Sequence, residues 1–246
     1  RNILSNNIIL AATGKSRGEM NIVIVDKGEG QTPKDMPNTI LSISKSNKMR
    51  VPFVQGKFNM GGTGALPFCG KHNLEFIISK RCPKINNNST ETSDEWSFTV
   101  VRREEARDGR KSSMYTYLTT EDKNLFAFAA DEMKIVPKPE QGQFDSMKYG
   151  TLIKLYDYDI HGYKTNILFD LNYRLSLLIP NLAHPIRLRE CRPGYIGHSM
   201  EATLSGLSTR LYDDRGNNIE TSFPISYQFS VDEQVFRCSV YLFKPD

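Results

Sequence analysis

Two glycine-bearing motifs and one threonine carry the chemistry legible in this sequence. Asp26-Lys27-Gly28-Glu29-Gly30 puts a carboxylate at the end of the β-branched run Asn21-Ile-Val-Ile-Val25, and its glycines let a flat ligand approach the backbone closely. A buried carboxylate there can accept a hydrogen bond from the amino group of an adenine ring. Alone, the D-x-G-x-G pattern also fits a plain turn after a strand. An EF-hand loop is excluded, because Lys27 and Gly28 stand where oxygen ligands belong.

The second motif lies in Gln55-Gly-Lys-Phe-Asn-Met-Gly-Gly-Thr-Gly-Ala65, where Gly56, Gly61, Gly62 and Gly64 free successive backbone N–H groups to point at an anion. Such a nest ahead of a helix suits phosphates. Gly62 and Gly64 are expected to need backbone angles and a closeness of approach that a Cβ would forbid. No Gly-Lys-Ser/Thr follows at P-loop spacing, and the strand-to-helix context and acidic residue of a dinucleotide-binding turn are missing. The third element is Gly150-Thr151, which opens the strand-like Thr151-Leu-Ile-Lys-Leu-Tyr156.

The elements that must position these residues follow from periodicity. Asn7 to Ala12 and Asn21 to Val25 read as paired strands, and Thr32-Pro33 as the N-cap and first residue of a short helix toward Ile43. Strands are expected at Leu74 to Ile78, Trp96 to Val101, Ser113 to Leu118 and Thr151 to Tyr156, forming an antiparallel meander. Pro137 and Pro139 exclude a central strand or continuing helix over Lys134 to Gln143. Ile167, Leu168, Leu171, Leu175 and Leu178 recur at helical spacing, so a helix is expected from Lys164 to Ile179, ended by Pro180. Beyond it come a basic segment from Arg187 to Arg192, a hairpin-like Arg210 to Ile219, and strands near Ile225 to Phe229 and Val235 to Phe243.

Taken in order, the three motifs resemble the GHKL superfamily, the Bergerat-fold ATPases that include gyrase, heat-shock chaperones, histidine kinases and mismatch-repair proteins. Asp26 to Gly30 matches the first glycine box, Gly56 to Gly64 the second, and Gly150-Thr151 the closing threonine strand; the likeness spans about residues 7 to 158. The resemblance implies an α+β fold: a Bergerat-type two-layer α/β sandwich with a mixed, mostly antiparallel sheet over residues 1–162, then a smaller α/β unit over 163–246. It implies that Asp26 bonds adenine, that Gly28 and Gly30 shape the base pocket, and that Thr151 supports Asp26 through its hydroxyl and a water. Gly61, Gly62, Thr63 and Gly64 would wrap the phosphates of ATP, with magnesium, and Gly56, Asn59 and Met60 of the same box would belong to the nucleotide-binding set. Ser44 to Lys48 lies where the family keeps its lid, so Lys48 and Lys57 are candidates to meet phosphate oxygens.

Departures from the pattern stand beside it. Lys27 replaces an asparagine and Gln31 an apolar residue, which should alter the rim of the base pocket. The leading helix, with its catalytic glutamate and magnesium-binding asparagine, is not found, and is expected upstream of Arg1 or in a missing segment. The catalytic residue is therefore unassigned. Slow ATP hydrolysis driving a conformational change or ATP-dependent homodimer closure is the expected function, since the second unit resembles the gyrase, mismatch-repair and Microrchidia-like arrangement. The alternatives are a nucleotide-sensing module without turnover and a nucleic-acid-associated subunit, the latter leaning on Arg102, Arg103, Arg107, Arg110 and Lys111 and on Arg187, Arg189 and Arg192.

Composition is compatible with this reading and narrows little. The chain has 246 residues, 39% hydrophobic, and a net charge of +4, which permits a polyanionic ligand without implying a nucleic-acid coat. Cys69, Cys82, Cys191 and Cys238 form no C-x-x-C pair, and His72, His161, His184 and His198 lack metal-ligand spacing, so no protein-held metal is expected. Without a long apolar run, no membrane span is expected, and a reduced, cytoplasmic setting fits the scattered cysteines.

Overall fold

A computed structural model describes residues 1–15, 20–42, 60–85, 94–107, 109–138, 142–159, 166–195, 197, 200–213 and 218–245. The expected strand pair is β1 (Ile8–Gly14) and β2 (Met20–Asp26), antiparallel with Ile9 opposite Val25 and Ile8 opposite Asp26. Around them runs a nine-stranded sheet. It includes β3 (Glu75–Lys80), β4 (Glu95–Glu104), β5 (Met114–Tyr117), β6 (Phe126–Ala129), β9 (Gly150–Leu155), β10 (Ile186–Glu190) and β11 (Glu201–Leu204), ordered β11-β10-β1-β2-β9-β3-β4-β5, with β6 also on β4. Among the described residues, β1 and β10 are the one parallel pair of this sheet. The fold is thus mixed α/β, with a large, mostly antiparallel sheet and few helices.

Each strand sends alternate residues to opposite faces. On one face Ile9, Ala11, Val23, Val25, Ile78, Trp96 and Leu152 pack beneath a two-stranded ribbon, β7 (Met133–Pro137) and β8 (Phe144–Met147), which contributes Val136 and Met147. Pro137 ends β7 without interrupting a central strand, as its missing N–H requires. The other face carries Ile22, Leu155, Leu188 and Leu204, covered by Ile167 and Leu168 of the helix α2 (Ile167–Leu178). Beside them Met36 and Leu66 cover Ile77 and Val101. The α2 N-terminus is capped by Asn166, whose Oδ1 accepts from the Leu168 N–H at 2.8 Å.

Several expectations are corrected. The segment after Thr32 forms only a 3-10 turn, Met36–Asn38. Thr32 Oγ1 accepts from the Asp35 N–H at 3.2 Å, but Asp35 and not Thr32 stands at the N-cap of that turn, and Pro37 has no N–H to extend an α-helix. The strands from Leu74 onward do not form a simple meander, because β9 inserts between β2 and β3. The basic segment holds strand β10, built around the fully buried Leu188 and paired with β1 and β11 in the large sheet. Arg210 to Asp213, expected to begin a hairpin, belong to the helix α3 (Leu207–Asp213), where Arg210 donates to Ser176 Oγ at 2.9 Å. Two strands, β12 (Ile225–Val231) and β13 (Gln234–Val240), form a separate ribbon whose residues are exposed throughout.

The carboxylate of Glu75 lies among apolar neighbours. Glu75 is 5% exposed on β3, opposite Leu155 and Val101, and burial pushes its carboxyl up to about 7. The nearby Cys69 thiol is itself pushed up to about 12 by burial and stays neutral. Since the folded protein holds the Glu75 proton more tightly than the unfolded chain does, its stabilising effect is complete below the ordinary carboxyl range and is lost as pH rises through about 7. Glu75→Gln should therefore stabilise the protein by about 3 kcal/mol at roughly pH 8.5 and by almost nothing near pH 4. Chemical denaturation of both proteins across this range measures it, and a pH-independent difference would contradict the account.

Candidate functional site

The turn after β2 is held by its own carboxylate: the Gly28 N–H donates to Asp26 Oδ1 at 2.8 Å, while Asp26, expected to be buried, is exposed at the sheet end, where its strand runs out. Gly30, buried at φ +64°, could not carry a side chain, since a Cβ would overlap the Lys80 carbonyl oxygen. Gly150, at φ +123°, meets the Asp26 carbonyl oxygen in the same way. The turn is further tied to the end of β3 by the Cys82 N–H, which donates to Glu29 O at 2.7 Å, and by Arg81 Nη1, which donates to Gly30 O at 3.1 Å. Three stretches of backbone thus converge where two motifs meet.

Thr151 lies directly opposite Asp26 in the β2–β9 pairing and directly opposite Ser79 in the β3–β9 pairing. Residues so paired share a face of the sheet. Ser79, 1% exposed, lies 2.8 Å from Thr151 Oγ1 through its Oγ, donates to Gly150 O at 3.0 Å and accepts from the Gln31 N–H at 2.9 Å. Gln31 in turn accepts from the Thr39 hydroxyl. Ser97 continues the row on β4, donating to Ser79 O at 3.3 Å and reaching Met36 Sδ at 3.1 Å. The row Asp26, Thr151, Ser79, Ser97 therefore grades from exposed to fully buried.

The second motif differs from its expected form. Met60, Gly61, Gly62, Thr63 and Gly64 lie in the short helix α1 (Met60–Ala65) rather than in a nest, and none of Gly61, Gly62 and Gly64 has a positive φ. A Cβ at any of these three glycines would meet nothing within 4 Å, so the steric bar expected at Gly62 and Gly64 is absent from the protein itself. Helical backbone still leaves its first N–H groups without intrahelical partners. The expected lid from Ser44 to Lys48, together with Gly56, Lys57 and Asn59, lies outside the described residues.

Ser79 and Ser97 join the site without having been expected there, and Gln31, expected only to alter the rim of the base pocket, bonds to Ser79. The one signal in the sequence is a serine closing the otherwise apolar run Phe76-Ile77-Ile78, on a strand whose neighbour β9 only the fold reveals. Arginines of both clusters are engaged by carboxylates. Arg189, its side chain 5% exposed, lies 2.6 Å from Asp145 and 2.7 Å from Glu201; Arg192 pairs with the buried Glu190 at 2.8 Å. Arg102 and Arg110 flank Glu104 at 2.9 and 3.6 Å, and Arg103 lies 3.8 Å from Glu105.

No model of a known protein family matches the chain, and no curated protein sequence matches it.

The contrast between the two sets of glycines is testable. Gly30→Ala and Gly150→Ala should each destabilise the fold by at least about 1 to 2 kcal/mol from backbone strain alone. Gly62→Ala and Gly64→Ala should leave it unchanged or stabilise α1 by up to about 1 kcal/mol each. Thermal unfolding of the four variants decides, and equal losses at all four positions would contradict the geometry.

Proposed function

We propose that the chain binds ATP, with magnesium, in a Bergerat-type pocket at the Asp26 end of the sheet, and that nucleotide binding drives conformational change or dimer closure with slow hydrolysis. The observation that carries this reading is the pairing of Asp26 with Thr151: two motifs far apart in sequence become direct cross-strand partners beside a glycine turn. Asp26 offers an exposed acceptor for an exocyclic amino group, and Gly28 presents no side chain beside it. Gly61, Gly62 and Gly64 leave the surface of α1 bare, as a close-fitting phosphate group requires.

The base would lie against Asp26, Gly28 and Gly30, with Thr151 supporting the carboxylate. The phosphates would lie toward α1 and meet Lys48 and Lys57. Magnesium would enter with the phosphates; among the described residues no group of three His, Cys, Asp or Glu side chains could hold it. Hydrolysis needs a base to activate water, and no residue of this chain is assigned to that role.

Calorimetric titration with ATP and magnesium tests the reading. Asp26→Asn should weaken binding by about 1 to 3 kcal/mol, because an amide donor can then face the ligand's amino group beneath the bound base. Equal affinity of the two proteins would remove the adenine role from Asp26.

A further inference from the structure

The hydrogen-bonding capacity of Ser79 carries the pocket reading one step further and rests on it. A serine hydroxyl has one proton to donate and two lone pairs with which to accept. Three groups surround Ser79 Oγ: the Gln31 N–H at 2.9 Å, the Gly150 carbonyl oxygen at 3.0 Å and Thr151 Oγ1 at 2.8 Å. Gln31 can only donate here and Gly150 can only accept, so one lone pair and the single proton are committed. All three bonds form together only if the remaining lone pair accepts the Thr151 hydroxyl proton. The opposite assignment, with Ser79 donating to Thr151, takes the proton away from the buried Gly150 carbonyl and makes one bond fewer.

We propose that Ser79 is a positioning residue that polarises Thr151, turning the Thr151 hydroxyl into an acceptor toward the pocket. Asp26, the cross-strand neighbour of Thr151, is an acceptor as well when ionised. Both groups then call for donors from the ligand or from a water between them, and neither supplies one. A ring bearing an exocyclic amino group satisfies this; a ring bearing a carbonyl at the same place sets oxygen lone pairs against oxygen lone pairs. The buried hydroxyl on β3 thus gives the pocket its preference for 6-amino over 6-oxo purine nucleotides, without touching the ligand. Because the same hydroxyl receives the Gln31 N–H, the segment that follows the glycine turn is fixed by the bond pattern that sets this preference.

The test is the ratio of affinities for ATP and ITP, each with magnesium, in the unmodified chain, Ser79→Ala, Ser79→Thr and Thr151→Val. The unmodified protein should prefer ATP. In Ser79→Ala the Thr151 hydroxyl is free to rotate and can donate to a 6-oxo group, so ITP binding should rise and the preference should fall by about three- to tenfold, the range of one hydrogen bond. Ser79→Thr, which keeps a hydroxyl, should retain the preference. Equal weakening of both nucleotides in Ser79→Ala, with the ratio unchanged, would mark Ser79 as structural only and overturn the proposal. If Ser79→Ala does not fold, Thr151→Val reads the same acceptor: a reduced ratio supports the proposal, and an unchanged one overturns it. Failure of the unmodified protein to bind either nucleotide would overturn the pocket reading and this inference with it, whereas an unchanged ratio overturns this inference alone.

Discussion

The arrangement depends on the antiparallel register of β9 between β2 and β3. Asp26 and Thr151 belong to one site only because the pairing sets them opposite each other. A slip of one residue would turn Thr151 to the face of Trp96 and Leu152 and bring Leu152 up beside Asp26. The register is pinned chemically at its end. Gly150 adopts a φ of +123° with its Cα close against the Asp26 carbonyl, and Gly30 adopts +64° against the Lys80 carbonyl, so a residue with a side chain in either place would push the strands apart. The geometry of the candidate site and the strand pairing are therefore fixed by the same contacts.

Charge is used inside this chain to fasten layers together. Arg189 on β10 reaches Asp145 on β8 and the carbonyl of Pro137 on β7, tying the ribbon to the sheet edge, while also bonding Glu201 on β11. Glu190, fully buried, accepts from the Ile167 N–H at the start of α2 and from Arg192. Removing one partner would leave an uncompensated buried charge, which makes these pairs restraints on geometry more than sources of stability. It also explains why a basic segment in the sequence does not present a basic surface: its arginines already have carboxylate partners. Lys80 behaves alike, its ammonium donating to the Ala130 carbonyl and paired with Asp94.

Much of the fold is legible in the sequence wherever a local rule decides. The β-branched run ending at Asp26, the helical stripe of Ile167, Leu171 and Leu175, and the restriction imposed by Pro137 all state their structure within a few residues. What is not legible depends on partners distant in the chain. The strand character of Ile186–Glu190 is hidden by alternating arginines whose countercharges lie on β8 and β11. Ser79 gains meaning only once β9 is known to lie beside β3. The glycines of α1 suggest, in sequence, a backbone that only glycine can adopt, yet they are helical; with nothing packed against them, their small size answers to no contact within the protein. In a nucleotide pocket it would answer to the ligand.

Hydrogen exchange with and without a non-hydrolysable ATP analogue and magnesium tests the nucleotide pocket most directly. Slower exchange on binding is predicted at the Asp26 to Gln31 turn, across α1 and at the start of β9, because nucleotide contacts would hold backbone amides that solvent can otherwise reach. Unchanged exchange at all three places, or protection confined to regions remote from Asp26 and Thr151, would contradict it.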